Sequence, residues 1–135
     1  MITGVGTDLI EVERVAGKIS KEEGFRELVF TPAEIAYCEG RANKFQHYAA
    51  RFAAKEAFLK AIGTGWITGI AFNEIEITND EQGRPLLNLI GRTSKFLEAR
   101  GIGKTWVSLS HLSNISSAVV VIESEPINAT GNGQI

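Results

Sequence analysis

The feature that most narrows the fold is the stretch 51–65, RFAAKEAFLKAIGTG. Ala, Leu, Lys, Glu and Arg fill it, and these are strong helix formers. Gly63 follows the last apolar position, where helices commonly stop. At about 100° per residue, Ala50, Ala54, Ala57 and Ala61 share one stripe. Side chains this small let a helix lie close against a sheet or another helix. The pattern predicts a long central helix over 47–62. Glu56 and Lys60 sit four apart on a different face, which allows a surface ion pair or a carboxylate and an ammonium aimed at a ligand.

The remaining elements are shorter. Residues 2–10 read as a strand in which Gly4 and Gly6 hint at close backbone approach. A helix is expected over 11–25, weakened by Gly17 and Gly24. Thr31, Pro32 and Glu34 form a helix start, with an N-cap, a proline at the first position and an acid in the first turn. That helix should reach about residue 39. Strands are expected over 70–77, with a possible bulge at Asn73, and over 85–90, joined by the turn NDEQGRP. A helix over 92–100 and a second hairpin, 104–112 with 117–123, follow. The fold class is α+β: a mostly antiparallel sheet packed against a long central helix and shorter helices. Residues 1–123 form one domain, and 124–135 form a tail without periodicity that is expected to be mobile.

Composition excludes several classes. At 135 residues, with 44% apolar residues, the chain can bury a core without staples. A net charge of −2 argues against nucleic-acid binding by bulk electrostatics. Cys38 is the single cysteine, so an internal disulfide is impossible, and with two histidines it cannot build a four-ligand zinc site of Cys and His. The first residues lack a basic flank and a long apolar run, and no stretch is apolar enough to span a bilayer. A cytoplasmic protein, without nucleic acid or membrane partners, is expected.

Four side chains suggest chemistry. Asp8 interrupts an apolar run, so it either caps the next helix or binds a ligand. Glu56 and Lys60 share a helix face. His111 shares a strand face with Val107 and Leu109, as a core or edge residue or as a functional one. Two carboxylates, a lysine and a histidine suit magnesium-assisted chemistry on a phosphate ester, since Mg²⁺ commonly takes one or two protein carboxylates and completes its shell with water and phosphate oxygens. The glycine-rich segment 63–69, with Gly63 and Gly65, offers amides to a phosphate. Arg14, Lys18, Lys21 and Phe25 would lie within about 60° on one continuous helix, as a mixed solvated face or a docking stripe with an exposed aromatic at its end.

These segments resemble a known family. GVGTDLIEVERV, RFAAKEAFLKAIGTG and SLSH are similar to motifs of the holo-acyl-carrier-protein synthases, the short bacterial phosphopantetheinyl transferases, and FTPAEIAYC and DEQGRPLL fall where that family has similar segments. The resemblance covers about residues 1–123. It implies transfer of 4′-phosphopantetheine from coenzyme A to a serine of apo acyl carrier protein, with adenosine 3′,5′-bisphosphate released. It implies Mg²⁺ held by Asp8 and Glu56, with Lys60 and His111 near the coenzyme A phosphates and Arg51 and Pro85 lining the nucleotide site. It implies a homotrimer with active sites between subunits. Leu112 stands where the family more usually has a polar residue. The serine proton would pass to a metal-bound water, or through a water to Glu56, with His111 as the competing acceptor. Acyl carrier proteins are acidic, so Arg14, Lys18 and Lys21 would meet their carboxylates, with Phe25 in a hydrophobic groove. The competing readings are a magnesium-dependent phosphohydrolase and a non-catalytic module that binds carrier protein.

Overall fold

The computed structural model describes residues 1–63 and 69–124. Strand β1 (Ile2–Glu11) pairs antiparallel with β5 (Ile115–Ser124), and β5 pairs antiparallel with β4 (Ile102–His111), giving the order β1-β5-β4. A separate antiparallel hairpin is formed by β2 (Ile75–Asn79) and β3 (Pro85–Leu89). The helices are α1 (Val12–Ser20), α2 (Phe25–Val29), α3 (Pro32–Glu39), α4 (Lys44–Ile62) and α5 (Gly91–Glu98). The expected α+β architecture around a central helix is what forms.

Helix α4 lies on the inner face of the three-stranded sheet. On β5, Ser116, Ala118, Val120 and Ile122 alternate inward and are buried. The predicted alanine stripe is buried too, with Ala50, Ala54, Ala57 and Ala61 all at 6% exposure or less. The glycines of β1 complete this contact. A Cβ on Gly6 would run into the carbonyl oxygen of Ala57, and one on Gly4 into that of Ala61. Backbone therefore meets backbone where α4 crosses β1, and only glycine on the strand allows it.

Several local expectations are corrected. The helix expected over 11–25 stops at Ser20. Glu22 (φ 52°) and Gly24 (φ 93°) adopt left-handed backbone, which a right-handed helix cannot continue through, and the chain restarts as the short α2. The strand before it runs on to Glu11, which opens α1 without a side-chain cap, so Asp8 lies within the strand and caps nothing. The anticipated bulge at Asn73 is a 3₁₀ turn, Phe72–Glu74. The start of α3 forms as read, as a reciprocal capping box between Thr31 and Glu34. The expected tail lies outside the described residues, apart from Ser124, which ends β5.

Two glycine substitutions should move stability in opposite directions. Gly6→Ala forces α4 off the sheet and should lower unfolding free energy by about 1–3 kcal/mol or more. Gly17→Ala, inside α1 with open space around it, should raise it by about 0.5–1 kcal/mol. Urea midpoints at unchanged m-value would check both.

Candidate active site

Asp8 lies between Gly6 and Ile10 in β1 in the alternation that faces the helix, so it points toward α4. Glu56 and Lys60 meet it from the last turns of α4. Lys60 Nζ donates to Asp8 Oδ1 at 3.0 Å and to the Thr7 carbonyl at 3.0 Å. The Lys60 side chain is 57% exposed and that of Asp8 only 16%. The ion pair that forms is thus Lys60–Asp8, across two elements, and not the helix-surface pair that the Glu56–Lys60 spacing allowed.

A cleft of about 270 Å³ opens beside this pair, lined among others by Asp8, Arg14, Lys18, Phe52 and Glu56. The Glu56 carboxyl titrates above its usual range. Burial is the leading cause and the negative charge of Asp8 adds to it, while Lys60, Lys18 and Arg14 pull the other way. Two carboxylates lining one cleft, one of them hard to ionise beside the other, fit a divalent cation. Among the described residues no cluster of three or more acidic, histidine or cysteine ligands occurs. Gly63, left-handed at φ 79°, ends α4 just beyond Lys60. Gly65 lies outside the described residues.

A second cluster occupies the other end of α4. The Arg51 guanidinium is buried and donates to Asn79 Oδ1 at 2.8 Å, while its Nε has no partner among the described residues. It lies 4.2 Å from the Tyr37 ring, and Arg41 lies 3.9 Å from the same ring. A cleft of about 370 Å³ is lined by Tyr37, Arg41, Arg51 and the β2–β3 turn, with Pro85 pairing Asn79 at that turn. His111 joins this cluster. Its ring meets His47 at 5.9 Å, and His47 meets Tyr37 at 5.5 Å. His47 and Lys60 stand at opposite ends of α4, about 20 Å apart along its axis at ~1.5 Å per residue. Within one chain, then, three of the four residues singled out by sequence converge, and His111 sits with Arg51 instead. Tyr37, Arg41 and His47 were missed. Their types near the end of one helix, in a polar loop and at the start of another carry no spacing signal; only the fold gathers them.

The docking stripe is also revised. Arg14 and Lys18 are exposed on α1 at the mouth of the carboxylate cleft. Lys21 is exposed just past the helix end. Phe25 is not an exposed aromatic on that helix. It opens α2, is half-buried, and packs on Phe30 and Phe52 at 6.3 and 5.8 Å, with Lys18 Nζ 5.5 Å from its ring. The left-handed break at residues 22–24 turns it inward.

Residues 4–114 match the family described as the 4′-phosphopantetheinyl transferase superfamily. The chain belongs to that superfamily. The match spans Asp8, Glu56, Lys60 and His111. The chain is 48% identical over 124 residues to a holo-[acyl-carrier-protein] synthase of Syntrophus aciditrophicus, covering 91% of this chain and 97% of the relative. Among solved structures of the superfamily it resembles the holo-[acyl-carrier-protein] synthase of Neisseria meningitidis, with a TM-score of 0.84, 35% identity, 92% of this chain and 100% of that one. It also resembles the Bacillus anthracis enzyme solved in complex with coenzyme A (3′,5′-ADP), with a TM-score of 0.76, 34% identity, 93% and 99% coverage.

The coupling between the two acids is directly measurable. Asp8→Asn removes the neighbouring negative charge, so the Glu56 carboxyl should titrate at lower pH than in the parent protein. Carboxyl-carbon NMR titration reads this, and an unmoved Glu56 would mean the two groups do not share a cleft.

Proposed function

We propose that this chain is a holo-[acyl-carrier-protein] synthase. It transfers the 4′-phosphopantetheine of coenzyme A to a serine hydroxyl of apo acyl carrier protein and releases adenosine 3′,5′-bisphosphate. The observation that carries the reading is the meeting of Asp8 and Glu56 in one cleft, with Lys60 paired to Asp8 beside it, in a chain whose fold follows a relative solved with coenzyme A.

The serine oxygen attacks the phosphorus nearest pantetheine, forming one P–O bond as the bridging P–O bond to the nucleotide breaks. Negative charge grows on the phosphate oxygens and the departing bridge. Lys60, largely solvent-facing and held among the described residues at Asp8 and Thr7, can reach that charge and offset it. Asp8 and Glu56 would hold Mg²⁺, which supplies Lewis-acid stabilisation of the same charge. Glu56 would take the serine proton through a water, with His111 as the competing acceptor. The carrier protein docks its acidic surface on Arg14, Lys18 and Lys21 and brings its serine to the cleft mouth. Phe25 braces Lys18 from below.

Arg51, Pro85 and His111 bind the nucleotide end of coenzyme A, and the amide of Gly63 is offered to its phosphates. Because this cluster and the carboxylate cleft stand at opposite ends of α4, a complete site is formed between two copies in a homotrimer. The outer sheet face supports such an assembly. Val5, Val121 and Trp106 lie in register across its three strands, and Val5, Leu9 and Trp106 are 57%, 69% and 40% exposed. No described helix is long and apolar enough to cross a membrane, which is compatible with a cytoplasmic site of action.

Intact mass spectrometry of apo carrier protein with coenzyme A should show the gain of one phosphopantetheine with Mg²⁺ and none without it. Asp8→Asn and Glu56→Gln should each slow the gain by on the order of 100-fold or more. In the same assay Arg14→Glu should raise the KM for carrier protein far more than that for coenzyme A. Steady bisphosphate release without carrier protein would instead report a hydrolase. For the shared site, mixing unfolded Asp8→Asn and His111→Ala chains and refolding them together should recover activity that neither shows alone. Failure to recover any would place both clusters in the service of one chain.

A further inference from the structure

His47 belongs to neither the carboxylate cleft nor the expected nucleotide set, yet it links His111 to Tyr37 and its two arginines. The imidazole is half-buried in the first turns of α4, edge-on to Tyr37 of α3 at 77° and to His111 of β4 at 63°. The charged groups that act on it are Arg51 of α4, Arg41 of the α3–α4 turn and His111 of β4. None of these four residues forms an ion pair with a carboxylate among the described residues. Glu39, at the end of α3, is taken by Arg26, Lys44 and Tyr48. Asp80, in the β2–β3 turn, accepts from the backbone of Gln82 and Arg84, and Glu81 is exposed there on the Arg51 cleft.

Two guanidinium charges and two imidazole rings thus gather without an ion pair to any carboxylate among the described residues, although Asp80 and Glu81 line the same cleft as Arg41 and Arg51. The His47 ring lies beside both guanidinium groups. Burial lowers its pKa first, and Arg51, Arg41 and His111 lower it further. A phosphate dianion entering this cluster reverses the local field. A proton that was repelled becomes attracted, and because the rings touch, it belongs to the pair.

We propose that His47 is a positioning residue of the nucleotide half-site: its ring backs that of His111, and the two imidazoles together take up a proton as a phosphate group of the substrate seats against them. This rests on the reading that coenzyme A binds there by its nucleotide end. A phenyl ring at position 47 could brace His111 equally well, but it could not accept a proton. By linkage, a ligand that raises the affinity for a proton must itself bind more tightly as pH falls.

The test is calorimetric titration of coenzyme A into the full chain with its metal, at pH 6, 7 and 8, in buffers of differing ionisation heat. His47→Phe and His111→Phe are titrated in parallel, with thermal unfolding as a check on folding. The ligand's phosphomonoester also titrates in this range, near pH 6, but it contributes alike to parent and variant, so their difference isolates the histidines. The parent should take up more protons at pH 7 than His47→Phe and should gain several-fold more affinity between pH 8 and pH 6. Equal proton counts and equal pH slopes in the two proteins would overturn the role of His47. If coenzyme A does not bind, or binds Arg51→Ala as tightly as the parent, the half-site reading falls and the proposal falls with it.

Discussion

The fold turns on a buried ion pair between Lys55 and Glu34. Both side chains are fully inaccessible, at 2.9 Å. Lys55 Nζ also donates to the carbonyls of Phe72 and Ile75, while Glu34 accepts from the backbone N–H of Thr31 and Ile77. Taking such charges out of water costs several kcal/mol per ion, and the attraction repays it only when every remaining proton and lone pair is met. Here the partners come from α3, α4, the 3₁₀ turn and β2 together. The pair is weak evidence for stability as such, but it fixes register. Rotating α4 by one residue would swing Lys55 through about 100° and strand it. Arg51, one turn earlier, is thereby aimed at Asn79, and Glu56, the next residue, at the cleft under α1.

The second constraint is the crossing of α4 over β1 at Gly4 and Gly6. It draws the strand so near the helix that Asp8, two residues beyond Gly6, reaches Lys60 directly. One rigid helix of 19 residues then carries chemistry at both ends. Its C-terminal half presents a carboxylate and a lysine. Its N-terminal half presents a histidine and an arginine. Positions on a helix hold tighter tolerances than positions on loops, which suits a reaction that depends on placing a phosphorus between nucleophile and leaving group.

Charge is distributed to match. The chain's net charge of −2 conceals two local excesses of positive charge, one on α1 beside the carboxylate cleft and one around Tyr37. The first is exposed, so its field reaches into solvent and is weakened by salt. The second is partly buried and therefore screened less, so it suits the tight hold of a small polyanion.

By itself the sequence determined the local elements and the chemistry of one cleft. Alanine spacing marked the buried face of α4 and Thr31-Pro32 with Glu34 marked the start of α3, because these signals depend on neighbours within a few residues, while the GTD and KEA segments drew attention to Asp8 and Glu56 through their resemblance to a family. Tertiary structure decided the rest. It chose Asp8 over Glu56 as the partner of Lys60 and buried Lys55, whose charge reads as solvent-facing in any window. It turned Phe25 inward through a left-handed break that only Gly24 foreshadowed, and it set His111 against His47 near the start of α4. Each of these outcomes depends on contacts between residues distant along the chain, and periodicity carries no information about which distant surfaces meet.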